Sequence, residues 1–274
     1  MINKSGYQTI FTAAFCLSLL IAFTGAAQIK LPRLVSDGMV LQRNQHVKIW
    51  GWASVNETVE LTFNEKKYTA QADASGNWAI LLPPQPAGGP VTMTFTAKNK
   101  ITVNDILFGD VWVCSGQSNM ELTMERVKEK YAAQIAGSEN KNIRQFLVAD
   151  KYDFNNIHND LDAGNWKSAN PKNVLEFSAV AWFFAKELYE KYHVPIGLIN
   201  AALGGSPAEA WMSEDALVNF PRHHREAQRF KDDKLIEEIE TNDRTRSSNW
   251  YAELNAKDAG ISRWHDPSLD DSGW

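Results

Sequence analysis

Cysteine is scarce in this chain: 274 residues contain two, Cys16 and Cys114. Cys16 lies in an apolar N-terminal run that reads as removable. Cys114 then stands alone in the mature chain, so no internal disulfide can form and stability has to come from a packed core. Positive charge is in short supply too. Lys and Arg total 28 against 33 Asp and Glu, a net charge of −5, which leaves no basic footprint for nucleic acid. Of the six histidines, only the adjacent His223-His224 come near ligand spacing, so no metal is expected. Glycine-rich phosphate loops of either standard form are missing, and no cofactor is expected. The apolar run Ile10 to Phe23 is too short for a comfortable membrane span, so the mature chain is expected to lack an anchor. What is present, 44% hydrophobic and 22% charged residues, is an ordinary globular composition with room for two modest domains.

Residues 1–27 read as a signal peptide. Lys4 supplies the positive start, the apolar run follows, and Gly25-Ala26-Ala27 offers small residues for a cut before Gln28. Cys16 is preceded by Phe15 rather than a small residue, so a lipid anchor is not expected. The protein is therefore expected to be exported, either periplasmic or secreted.

From residue 28 to 108 the pattern is β. Met39 to Gln42, Val47 to Trp52, Thr58 to Phe63, Tyr68 to Ala72, Trp78 to Leu82 and Val91 to Ala97 are short runs of β-branched and aromatic residues. Turn signals such as Ser75-Gly76-Asn77 and the proline-rich stretch 83–90 separate them. A small antiparallel sandwich is expected. Nothing in it gathers titratable groups into a catalytic set.

After Asp110 the pattern changes. Val111-Trp112-Val113-Cys114 is an apolar run that ends in Ser115-Gly116 and meets helix-forming residues. This predicts a buried strand, a tight turn and a helix, with Ser118 at the first helical turn. A hydroxyl there can attack a carbonyl while nearby backbone N–H groups hold the developing oxyanion. On spacing alone, a strand followed by a helix capped by Ser118 or Asn119 fits as well. Ile143 to Ala149 and Pro195 to Ala202 read as further strands, and Leu175 to Tyr192 as a helix with apolar residues at helical spacing. Strand, helix, strand at these lengths implies parallel pairing. Residues 150–171 read as a long polar loop, Glu214 to Glu240 as a charged helical face, and Asn249 to Trp274 shows no clear period. Gly204-Gly205 follows a strand at the same sheet edge as Ser118; it serves either as a plain turn or as a close backbone approach to a ligand.

The string Gly116-Gln117-Ser118-Asn119-Met120 resembles the nucleophile block of the SGNH-hydrolase superfamily, and more narrowly that of the sialate O-acetylesterase branch of carbohydrate esterases. Residues 197–212, with Gly204-Gly205-Ser206-Pro207 and Ala210-Trp211-Met212, are similar to a second block of that branch. The resemblance implies an α/β fold: an SGNH-type (flavodoxin-like) three-layer parallel sheet, incomplete here, after the β-sandwich. It implies a domain layout of 28–108 and 109–248, with 249–274 opening an inserted β-rich domain or linker. It also implies a serine esterase that removes O-acetyl groups from a sugar or glycan, such as sialic acid. Ser118 would be the nucleophile, Gly205 N–H an oxyanion donor, and Gln117 and Asn119 substrate contacts. Several of the ten tryptophans are candidates for a sugar-facing surface. A non-catalytic glycan-binding protein on the same fold, or an acetylxylan or pectin deacetylase, are the rival readings.

A serine esterase needs a base, normally His held by a carboxylate. The resemblance implies an Asp-x-x-His segment near the C-terminus, and this sequence has none. His193 ends a helix returning to the opposite sheet edge; His223, His224 and His265 lie in charged or unpatterned chain. His158 alone lies on a loop following a strand at the catalytic edge. The expectation is that the chain is an N-terminal fragment whose base lies outside it. Residues 28–274 alone should then hydrolyse an activated acetyl ester poorly, since losing a key triad member can cost ~10⁶ in turnover. Turnover measured with and without a separately expressed Asp-x-x-His portion checks this; full activity of 28–274 alone would place the base within it, with His158→Ala the next variant.

Overall fold

A computed structural model describes residues 28–258, 260, 263–270 and 272–273; the expected signal peptide lies outside them. The chain is mixed α/β and divides into two compact units. The first, residues up to 150 with 158–205, holds ten strands: β1 (Val40–Gln42), β2 (Val47–Trp52), β3 (Thr58–Phe63), β4 (Lys66–Gln71), β5 (Asn77–Leu82), β6 (Gly88–Thr96), β7 (Lys100–Gly116), β8 (Asn140–Leu147), β9 (Trp166–Ala169) and β10 (Ile196–Ala202). Its helices are α1 (Ser118–Glu121), α2 (Ala132–Ala136) and α3 (Ala179–Tyr192).

The larger sheet runs β4-β3-β6-β7-β10-β8-β9, with β1 also on β7; β2 and β5 form a separate antiparallel pair. The 17-residue β7 belongs to both halves of this sheet. Its first part pairs antiparallel with β6, from Thr96↔Lys100 to Gly88↔Phe108. Its last part pairs parallel with β10, from Ile196↔Asp110 to Ala202↔Gly116. The expected boundary at 108/109 therefore falls inside one continuous strand. β10 pairs parallel with β8 as well, as the strand-helix-strand spacing predicts. β9 pairs antiparallel with β8, inside the stretch 150–171 that reads as loop.

Two clusters fill the interior. Val59, Leu61, Phe63, Met93, Phe95, Ile106 and Phe108 pack within the antiparallel part, where alternate strand residues point inward. Trp182 and Ala185 of α3 pack with Cys114, Ile143, Ile196 and Leu198 of the parallel part. Ser178 caps α3, accepting from the Ala181 amide at 3.2 Å. On the other sheet face Val113 is 70% exposed.

Arg144 is charged yet only 3% exposed. Its guanidinium donates to the Gly38 and Asp105 carbonyls at 2.7 and 2.5 Å, to the Lys141 carbonyl at 2.9 Å, and to the Asp105 carboxylate at 2.9 Å. It thereby ties β8 to β7 and to the loop before β1.

The second unit, 151–157 with 206 onward, is helical: α4 (Glu214–Leu217), α5 (Pro221–Arg229) and α6 (Asp233–Lys257). Phe154 packs on Phe230 at 5.5 Å between ring centres, and Lys231 bonds both Glu214 oxygens at 2.9 Å. No residue of α6 is buried. Asn249 to Lys257, read above as unpatterned and as part of an inserted β-rich domain or linker, is helical and ends α6: with no buried face, nothing imposes a period on its sequence. None of the helices among the described residues is long and apolar enough to cross a membrane.

Replacing Arg144 with Met removes the shared donor of three partly buried carbonyls and leaves the half-exposed Asp105 carboxylate unpaired. Unfolding in urea should show a loss of about 1–3 kcal/mol; a loss under about 0.5 kcal/mol would mean water or a neighbour replaces the guanidinium.

Candidate active site

β7 delivers the nucleophile candidate. Gly116 ends the strand with φ 142°, a left-handed value that suits glycine and lets the chain turn sharply out of the sheet. Gln117 follows in extended conformation and starts α1, its carbonyl accepting from the Met120 and Glu121 amides at 2.9 and 3.0 Å. Ser118, first residue of α1, is exposed at the strand's carboxyl end, and so are Gln117 and Asn119.

The second loop leaves the sheet beside the first, because Ala202 pairs with Gly116. The Leu203 amide donates to the Gly116 carbonyl at 3.0 Å. Gly204 and Gly205 form the turn, Gly205 with φ 76° and open space where a side chain would go. A Cβ on Gly204 would lie 3.6 Å from Ser118 Cα and 2.3 Å from Glu121 Oε2. A side chain at Gly204 would push the Glu121 carboxylate off its bond to the turn, while leaving ordinary contact with the Ser118 backbone. The structure thus brings Ser118, Gly204 and Gly205 together.

Glu121 was not among the residues singled out from sequence. Its carboxylate accepts the Gly204 N–H at 2.7 Å, clasping the glycine turn to the serine helix. That amide is engaged, which leaves the Gly205 and Ser118 amides as the candidates for an oxyanion. The sequence placed Glu121 one helical turn beyond Ser118 but carried no signal of its partner, 83 residues away.

Beneath the exposed serine lies a buried polar support. Ser178, 0% exposed, points its hydroxyl at Met120 Sδ at 3.5 Å, while its amide donates to Gln145 Oε1 at 3.1 Å. Gln145 Nε2 donates to the Glu176 carbonyl at 3.3 Å. The Ala179 amide donates to the Leu122 carbonyl at 2.8 Å, and the Met124 amide to the Phe177 carbonyl at 2.9 Å. The start of α3 thus fixes the segment that follows Ser118.

The histidines are elsewhere. His193 is the left-handed cap of α3, φ 51°, before β10 begins and so at the edge opposite Ser118. In the helical unit His223 Nδ1 lies 3.1 Å from Glu209 and His224 lies 3.3 Å from Gln228. His158 is exposed on the loop between β8 and β9. Among the described residues, no histidine hydrogen-bonds the Ser118 hydroxyl.

Three comparisons bear on this arrangement. Residues 108–237 match the family model described as carbohydrate esterase, sialic acid-specific acetylesterase. Curated sialate O-acetylesterases are similar over 202 residues: the Rattus norvegicus protein at 32% identity over 67% of this chain and 37% of its own length, and the Homo sapiens protein at 33% over 67% and 38%. The crystal structure of a carbohydrate acetylesterase from Xanthomonas citri superposes with a TM-score of 0.65 and 40% identity, covering 69% of this chain and 44% of that one. The chain spans well under half the length of these curated relatives.

The Glu121 clasp makes a prediction. Glu121→Ala should raise the hydrogen-exchange rate of the Gly204 amide about tenfold, whereas Glu121→Gln, which keeps an acceptor, should stay within about twofold. Equal exchange in all three proteins would show the loop to be held by other contacts.

Proposed function

From a chain that is sialate O-acetylesterase-like in sequence and superposes on a carbohydrate acetylesterase, we propose a serine esterase that removes O-acetyl groups from sialic acid-type sugars. The observation that carries this reading is the meeting of the two loops: Ser118 stands at the end of β7 with the Gly204-Gly205 turn held against it.

In the proposed reaction Ser118 Oγ attacks the acetyl carbonyl, and its proton passes to a base. The C–O bond to the sugar breaks, the sugar oxygen takes the proton, and an acetyl-serine remains. Water then cleaves that ester, releasing acetate and restoring the hydroxyl. The Ser118 and Gly205 amides are the proposed oxyanion donors; removing one such donor costs about 10²–10³ in turnover. Gln117 and Asn119, exposed on either side of Ser118, are the proposed sugar contacts. The base belongs to an Asp-x-x-His segment of the kind the resemblance implies. The parallel part of the sheet is read as an SGNH-type three-layer core, the antiparallel part as a sandwich-like N-terminal domain, and residues 1–27 as an export signal.

Ser118→Ala in a protein that carries the base should abolish acetate release from O-acetylated N-acetylneuraminic acid. Its stability should change by no more than about 0.5 kcal/mol, because the side chain is exposed. Fluorophosphonate labelling should be lost in parallel. Wild-type turnover by the variant would remove Ser118 from the mechanism.

A further inference from the structure

A second cavity lies on the two-stranded sheet, on strands other than the one that carries Ser118. β2 sets Trp50 and Trp52 two residues apart, so both rings stand on one face, ~7 Å from each other along the strand. Across the pair, Ala79 lies opposite Trp50 and Asn77 opposite Trp52. Alanine is short, so the space above it stays open. The resulting cavity measures 410 Å³ and is lined by Trp50, Trp52 and Trp78 together with Lys48, Gln71 and Asn77. That volume falls in the range of small-molecule sites, about 300–1,000 Å³, which combine aromatic walls with a few polar groups.

Two details give the cavity a direction. Lys30 places its ammonium 5.1 Å from the Trp52 ring centre and lies 3.6 Å from Asp160, which sets a cation beside one end of the cavity. Trp78, opposite Gly51, points to the other, core-facing side of the pair, 3% exposed and 5.8 Å from Phe95 between ring centres, so the strand beneath the two rings is anchored.

Stacked indoles recognise a ring with an apolar C–H face, and side-chain amides recognise hydroxyls around its edge. Lys48 with Asp73 nearby in the lining makes no anion clamp of the kind a phosphate requires. A molecule with one greasy face and a hydroxylated rim is a pyranose. We propose that this cavity is a carbohydrate-binding subsite, taking one pyranose unit of a glycan with its C–H face on the Trp50–Trp52 platform. Its hydroxyls pair with Gln71 and Asn77. This site binds sugar without hydrolysing it and does not depend on the esterase reading.

The test titrates the chain carrying Ser118→Ala with 3′-sialyllactose and, separately, lactose, followed by tryptophan fluorescence and saturation-transfer NMR. Saturable millimolar binding of at least one sugar is expected, and equally in the chain with Ser118 intact. Trp50→Leu and Trp52→Leu keep apolar bulk but lose the ring face, and each should weaken binding about tenfold. Binding of both sugars, or of lactose alone, supports recognition of the neutral ring; binding of sialyllactose alone supports it with Lys48 reading the acid. Absence of saturable binding, or affinity unchanged in both leucine variants, overturns the proposal. Should circular dichroism show the leucine variants unfolded, Gln71→Ala at the exposed end of β4 decides: weaker binding supports the site and unchanged binding overturns it.

Discussion

The arrangement depends on how β7 changes partners at Gly109 and Asp110. A side chain at Gly109 would collide with the Pro195 carbonyl, its Cβ only 1.9 Å from that oxygen. With glycine there, the Asp110 amide donates to the same carbonyl at 2.9 Å and the parallel ladder with β10 can begin. Arg43 closes the joint from the other side, gripping the Asp110 carboxylate with two bonds of 2.8 and 3.1 Å while its amide reaches the Gly109 carbonyl at 2.8 Å. Fork-on-carboxylate pairing sets direction as well as proximity. One strand therefore leaves an antiparallel neighbour and enters a parallel sheet without a break. Ser118 stands where it does because that strand arrives in register.

Around the serine, rigidity and exposure are divided between layers. The serine, Gln117 and Asn119 face solvent. Ser178 and Gln145 beneath them are almost fully buried and bonded to backbone. Polar groups so enclosed hold their geometry because each broken bond would leave an unsatisfied atom in a dry place. Glu121 works differently, through a single bond to Gly204 in a wet setting. The helix is thus anchored firmly, while the glycine turn opposite it is clasped lightly.

Much of this was legible in the sequence where local chemistry dominates. The run from Val111 to Cys114, the break at Gly116 and the polar Gln117-Ser118-Asn119 specify a strand, a turn and a helix among residues close in the chain. The first part of β7 was hidden because Lys100, Asn104, Asp105 and Asp110 interrupt its apolar alternation; its pairing with β6 and β1 supplies what its own pattern does not. β9 is four residues long and sits in a polar stretch, so only its ladder with β8 identifies it. Glu121 read as an ordinary helical residue, since its partner is 83 residues away. Arg144 gave no sign of being buried, because its acceptors are mainly backbone carbonyls, and these carry no sequence signature.

Cys114 lies on the strand that leads to Ser118, two residues before Gly116, and is 6% exposed. Burial pushes its thiol above the usual cysteine range, and it is the free cysteine of the described chain. Thiolate, not thiol, is what reacts with alkylating reagents. Residues 28–258 are therefore chemically quiet toward sulfur-directed probes when folded, and a cysteine introduced on their surface would be the thiol of that stretch that takes a dye or spin label. As the chain unfolds, the same buried thiol becomes a built-in reporter, since alkylation of Cys114 then tracks opening of the sheet directly beneath the serine.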